Sequence, residues 1–314
     1  MRNWIIVAAI LLVIGLIGMG STMGKGMFDL GSVEIEQHET IDGTDAKKIA
    51  LALDSANITV VKGTTNEIKA SLTGKVSKKF IDKTHLKLIR DGDEVKVAVE
   101  TNNGFTFGVS IFNVKLDLEL PAQQYDSFVL DIGSGDTSLA GLSVQTVEID
   151  AGSGNIQLED LASSKVSVEV GSGDTKVSGL SADTAELGAS SGNITIEKLT
   201  ARKLSVDTGS GDVKMYDVEA ELEVETASGN VRTEQRAINY PMEISTGSGD
   251  VTINTDEKPD NVLVTFSAGS GSLRNEWNVG SQSGDDDDKK IIFGDGGKRV
   301  IVDTGSGNLR LGER

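Results

Sequence analysis

Apolar and polar residues alternate along most of this chain, and a glycine-centred phrase interrupts the alternation at regular intervals. Val147 and Ile149, Val166 and Val168, Leu204 and Val206, and Leu222 and Val224 come before the phrase. Ile156 and Leu158, Ile194 and Ile196, Val213 and Met215, and Val251 and Ile253 come after it. A period of two predicts strands with one buried face. The phrase reads Gly133-Ser-Gly-Asp136, Gly152-Ser-Gly-Asn155, Gly171-Ser-Gly-Asp174, Ser190-Ser-Gly-Asn193 and Gly209-Ser-Gly-Asp212, each copy 19 residues after the last. It recurs less regularly as Ala227-Ser-Gly-Asn230, Gly247-Ser-Gly-Asp250, Gly269-Ser-Gly-Ser272 and Gly305-Ser-Gly-Asn308. A third apolar row, Leu142, Leu161, Leu180, Leu199 and Val218, keeps the same period. A fixed period near this length means one unit stacked on copies of itself. The expected fold is all-β: a single-stack β-solenoid, parallel β-helix-like, with about 19 residues per coil. Each coil has two strands, joined by a Gly-Ser-Gly turn at one corner and a Leu-led turn at the other. About nine coils at strand spacing give a rod roughly 45 Å long.

Outside the repeat the pattern changes. Residues 44–126 hold β-patterned segments and read as an N-terminal antiparallel cap. Asp91-Gly92 is a hairpin signal between His85–Ile89 and Val95–Val99, and Val114–Leu120 alternates until Pro121. Asp54-Ser-Ala-Asn57 is a degenerate copy of the phrase. Residues 29–43 are polar and read as a linker. The solenoid is expected over 127–275. Residues 276–314 read as an insertion loop or hairpin followed by a closing coil built on Val300–Val302 and Leu309–Leu311.

At the amino terminus, Trp4 to Met19 form an apolar run, and no charge falls between Arg2 and Lys25. As a helix this stretch is roughly 33 Å long, near the thickness of a bilayer core. Residues 1–28 are therefore expected to be a transmembrane signal anchor. No small-x-small cleavage site follows, and Arg2 favours the amino end inside. The rest of the chain is then extracytoplasmic, at the cell membrane.

Composition narrows the chemistry. A net charge of -18 excludes nucleic acid as a partner, because no basic surplus exists to displace counterions. The absence of cysteine excludes disulfides, thiolate metal sites and a lipoprotein anchor. His38 and His85 lack partners at hydrolase spacing, and no phosphate-loop or dinucleotide motif is present. No catalytic or cofactor residue is expected, and the chain reads as no enzyme.

The fourth position of the phrase alternates between Asp and Asn, with the carboxylates at Asp136, Asp174, Asp212 and Asp250. Carboxylates on adjacent coils repel by about 0.9 kcal/mol even in water. Two coils apart they lie beyond the Debye length of about 8 Å. Alternation thus permits a polar column in which Asn bonds its neighbours. The other use of the column is a Ca2+ site, for which Asp285, Asp286, Asp287 and Asp288 in the insertion are further candidates. Asp207 and Asp303 each open an Asp-Thr-Gly phrase, but five coils, roughly 24 Å, keep them from sharing a proton.

The N-terminal apolar segment, β-rich leader, serial Ser-Gly-Asp/Asn phrases and closing Thr304-Gly-Ser-Gly-Asn-Leu-Arg-Leu311 resemble the bacterial putative-adhesin family of β-strand-repeat proteins, which includes the LiaG-like proteins of cell-envelope stress. The resemblance spans roughly residues 44–314. It implies a non-enzymatic interaction or structural module, with an envelope protein or wall polymer as partner and a role in envelope stress. A polysaccharide-active enzyme and a calcium-stabilised surface rod are the alternatives.

Overall fold

A computed structural model describes residues 31–101, 112–284 and 288–314. The apolar segment at 1–28 and Asp285, Asp286 and Asp287 lie outside them. Among the described residues no helix is long and apolar enough to cross a membrane.

The strands follow the alternation. The first group is β1 (Ser32–Asp42), β2 (Lys48–Ser55), β3 (Asn57–Lys62), β4 (Glu67–Ser77), β5 (Thr84–Asp91), β6 (Glu94–Thr101) and β7 (Phe112–Leu120). The repeat supplies β8 (Gln124–Ser134), β9 (Thr137–Ala140), β10 (Ser143–Ser153), β11 (Ile156–Glu159), β12 (Ala162–Ser172), β13 (Thr175–Ser178) and β14 (Ser181–Ser191). Longer strands then run through a corner: β15 (Ile194–Ser210) and β16 (Val213–Ser228). The remainder is β17 (Val231–Gln235), β18 (Met242–Ser248), β19 (Val251–Thr255), β20 (Val262–Ser270), β21 (Leu273–Asn275), β22 (Ser281–Gly284), β23 (Asp288–Phe293), β24 (Lys298–Ser306) and β25 (Leu309–Glu313).

Two parallel ladders run the length of the stack. One carries β6, β2, β8, β10, β12, β14, the later parts of β15 and β16, β18, β24 and β20. The other carries β7, β3, β9, β11, β13, the early parts of β15 and β16, β17, β19, β25 and β21. Between them lies one continuous core. The corner row is inside it: Leu142, Leu161, Leu180, Leu199 and Val218 are all buried. The residues just before them, Gly141, Asp160, Gly179, Lys198 and Asp217, take positive φ and make the turn.

Coils do not stack in the order of the sequence. The first coil along the chain, β2/β3, lies between β6/β7 and β8/β9. The last coil along the chain, β24/β25, lies between β18/β19 and β20/β21. The first and last coils along the chain are thus each tucked one layer inside the stack. Antiparallel strands finish the ends: β5 on β6 and the β4–β1 pair on β7 at one end, and the β23–β22 hairpin on β20 at the other.

Three expectations change. Residues 29–43 are not a linker, because Ser32–Asp42 form β1, paired with β4 along its whole length. Its pattern is faint because β1 is an outer strand with few buried side chains, and the Gln37 amide does part of the work. Gln37 Nε2 donates to Thr84 O at 2.8 Å, and Leu86 N donates to Gln37 Oε1 at 2.7 Å. Residues 44–126 are not wholly an antiparallel cap, because β2/β3 and β6/β7 are parallel coils of the solenoid. The coil at 300–311 does not close the stack. The antiparallel β23 sends the chain back, so this coil inserts beneath β20/β21.

Candidate functional site

The fourth positions of the repeat phrase form one column at the Gly-Ser-Gly corner. Asn57 Oδ1 accepts from Asp136 N at 3.0 Å, and Asp136 Oδ1 accepts from Asn155 N at 2.9 Å and Asn155 Nδ2 at 3.0 Å. The pattern repeats through Asp174, Asn193, Asp212, Asn230 and Asp250. It then passes to Asn308, whose N and Nδ2 donate to Asp250 Oδ1 at 2.8 and 3.0 Å, and ends where Ser272 N donates to Asn308 Oδ1 at 3.0 Å. In sequence order the alternation fails after Asp250; in spatial order it continues.

Asp136, Asp174, Asp212 and Asp250 are therefore brought into one column, each separated from the next by an Asn amide, and one oxygen of each takes two donors. Among the described residues no group of three or more His, Asp or Glu is placed to hold a metal ion. Asp288 stands apart on β23, where its carboxylate accepts a hydrogen bond from the Ser267 hydroxyl.

A second column was not singled out in the sequence. It lies on the outer face of the long strands, two residues before each first glycine. The register stacks Asp131, Asp150, Glu169, Gly188, Asp207, Glu225, Ser245, Asp303 and Ser267, with Asp288 of β23 opposite Ser267. Period-two alternation assigned these positions only to the solvent face. Their shared column needed the 19-residue register, and Asp303 also needed the insertion of the last coil. Asp207 and Asp303 are three strand steps apart, about 14 Å, not the five expected. They are still too distant to share a proton.

The column is more acidic than the ladder and has no alternating amide. Glu169 shows the consequence. It folds over Gly188, where a Cβ would overlap its carboxylate. Burial, followed by the charges of Asp207, Asp150 and Glu186, pushes the Glu169 carboxyl above its ordinary value. Beyond Gly188 the surface opens into a groove of about 630 Å3, lined by Asp207, Glu225, Ser245, Asp303, Ser267 and Asp288 and by the side-chain-free Gly209, Gly247, Gly305 and Gly269. An acidic wall beside a glycine trough attracts cationic groups and admits an extended chain close to the backbone.

A family model described as Toastrack DUF4097 matches residues 46–312. Among solved structures, a putative adhesin from Parabacteroides distasonis ATCC 8503 is similar over 88% of this chain and 97% of its own, at 12% identity and a TM-score of 0.50. A putative adhesin from Bacteroides fragilis NCTC 9343 matches at 11% identity over 88% and 97%, with a TM-score of 0.46. A putative lipid binding protein from Parabacteroides distasonis ATCC 8503 matches at 14% identity over 87% and 96%, with a TM-score of 0.48. At its 12% identity, the first of these likenesses bears on the fold alone. A comparison with curated proteins finds no match.

Proposed function

The chain belongs to the Toastrack DUF4097 family, and on that premise we propose a non-enzymatic interaction module, anchored in the cell membrane by residues 1–28 and displayed outside the cytoplasm. The observation that carries the reading is the acidic groove. It crosses consecutive coils, so its charges are held in register by backbone ladders and do not need a partner to order them. Preorganisation of this kind lowers the cost of association. The partner that fits is an envelope protein presenting a basic segment, and a cationic wall polymer is the variant of the same chemistry. The description of a similar fold as an adhesin agrees with this use, and participation in the envelope-stress response is part of the same proposal.

The test is capture from cell envelopes with the full chain in its membrane. Specific recovery of a basic partner at low salt is expected, with loss in 0.5 M salt and loss in a Glu225→Gln, Asp303→Asn double variant. Recovery unaffected by both changes would remove the groove from the reading. Protease digestion of intact cells should trim the domain at its loops while leaving cytoplasmic controls whole. A domain cut only after lysis would overturn the displayed orientation.

A further inference from the structure

The chain enters β1 at Ser32, four residues after the apolar segment at 1–28. An extended chain covers at most about 3.5 Å per residue, so this corner of the cap stays within about 14 Å of residue 28. The register sets Ser32 against Ser77, the last residue of β4. A short 3-10 helix, Lys78–Lys83, follows directly. Lys78 N donates to Gly31 O at 3.2 Å, which bonds this turn to the incoming chain. The turn is also fixed from below. Phe80 is buried in the core, and its carbonyl oxygen accepts from Thr84 Oγ1 at 2.9 Å.

Lysines crowd this corner. Lys75, Lys79 and Lys83 are exposed, and among the described residues none of the three forms an ion pair. By contrast Lys69 meets Glu67 at 3.7 Å, Lys87 meets Glu100 at 2.6 Å, Lys96 meets Glu94 at 3.1 Å and Lys115 meets Asp117 at 2.7 Å. The carboxylates beside the corner are Glu34, opposite Lys75 in the register, and Asp82 in the turn, so its sign stays positive. The chain as a whole has a net charge of -18. The acidic groove starts at Asp207, six strand steps from β6 or about 29 Å. That is well beyond the Debye length of about 8 Å, so the two surfaces act independently. A bilayer with anionic headgroups draws the lysines to its surface and repels the acidic rod. A zwitterionic bilayer does neither. A wall polymer also carries phosphates, but it must be recruited, whereas the anchor keeps headgroups within reach at a high effective concentration.

We propose that the corner of Lys75, Lys79 and Lys83 is a docking surface for the anionic lipid headgroups around the anchor. Docking seats the cap on the bilayer and holds the acidic groove away from it. It presupposes the anchor at residues 1–28 proposed above.

The experiment is amine footprinting of the full chain in lipid nanodiscs, with an acetylating reagent and mass spectrometry reading each lysine. Discs of phosphatidylcholine alone are compared with discs holding about 30% phosphatidylglycerol. Acetylation of Lys75, Lys79 and Lys83 should slow about fivefold in the anionic discs at low salt and recover in 0.5 M salt. Lys198 and Lys214, exposed on the repeat, should react equally in both. A Lys79→Glu, Lys83→Glu double variant should return Lys75 to its neutral-disc rate. A Lys198→Glu, Lys214→Glu variant, with the same change of charge, should keep the protection. Equal rates in the two discs, equal slowing at Lys198 and Lys214, or protection that survives salt or the corner variant would each overturn the docking. Protection by added poly(glycerol phosphate) but not by the anionic disc would overturn it in favour of a wall polymer. The anchor is read separately. A chain that leaves the discs in 0.5 M salt removes the anchor and the docking with it, whereas a retained chain with unprotected lysines removes the docking alone.

Discussion

The glycine at the third position of each repeat phrase fixes how closely the corners stack. Gly192 has φ +149, and a Cβ there would overlap the carbonyl oxygen of Gly173 in the coil beneath. An alanine would meet both an unfavourable backbone angle and a backbone atom that cannot move aside. Gly192→Ala should therefore cost about 3 kcal/mol, read as a lowered midpoint in urea unfolding. The first glycine is less strict. The Cβ position at Gly209 is 2.7 Å from Ser190 O, yet the equivalent places hold Ser190 and Ala227. Gly209→Ala should cost about 1 kcal/mol or less. Equal losses at the two sites would sink this account. Glu169 gives a second prediction at this scale. Its folded pKa is raised, so the folded state holds the proton to higher pH than the unfolded chain does. Stability from this residue is then fully present below the ordinary glutamate value and lost as pH rises through the raised folded value. Glu169→Gln should have a higher Tm than the wild type at pH 8 and a smaller drop between pH 4 and pH 8. The same drop in both proteins would show that the charge at Glu169 is not what strains the column.

At the level of the strand and its neighbours, the Asp/Asn ladder separates like charges while keeping every rung bonded. Asn193→Asp would place a carboxylate between Asp174 and Asp212 and remove the Nδ2 donor that Asp174 Oδ1 accepts at 3.1 Å. Two new contacts near strand spacing cost about 0.9 kcal/mol each in water, so a loss of about 2 kcal/mol is expected at low salt. Most of it should return in 1 M salt, where screening acts within about 3 Å. A salt-independent loss would point to the missing amide alone. The ladder also marks what could be read from the residues. Period-two alternation and the 19-residue spacing were enough to identify the strands, the corners and the polar column. β1 was hidden because an outer strand buries little, and Ile35 is its sole fully buried apolar residue. The place of the last coil was legible after all. Asp250 requires an amide above it, and Asn308 supplies one where Ser272 cannot. Alternation read as a rule of spatial neighbours, not sequence neighbours, would have inserted β25 between β19 and β21. The acidic groove stayed out of reach because its column has no alternating amide to mark it, so only the stacked register brings Asp207, Glu225 and Asp303 together.

At the scale of the molecule, tucking the first and last coils one layer inward changes what protects the stack. A solenoid whose last coil is also its outermost one exposes a single fresh edge when that coil is lost. Here β24/β25 is bonded on both sides, to β18/β19 and to β20/β21. Deleting residues 298–314 would therefore expose β18 and β19 on one side and detach β20, β21 and the β22–β23 hairpin on the other. Unpaired parallel edges of this length recruit other chains, and a detached coil cannot bury its own apolar face. The deleted segment also carries Arg314, whose guanidinium holds Asp217 at 2.7 Å three layers away. Truncation at residue 297 should give a chain that associates in size-exclusion chromatography. Backbone amides of β18 to β21 should lose hydrogen-exchange protection while those of β8 to β14 keep theirs. Adding a peptide of residues 298–314 in trans should restore protection in β18 and β20 together, because the slot it fills is lined by both. A monomeric truncation with protection intact in β20 would mean that the end coil stands on the hairpin alone and that the inserted coil is not what joins it to the rod.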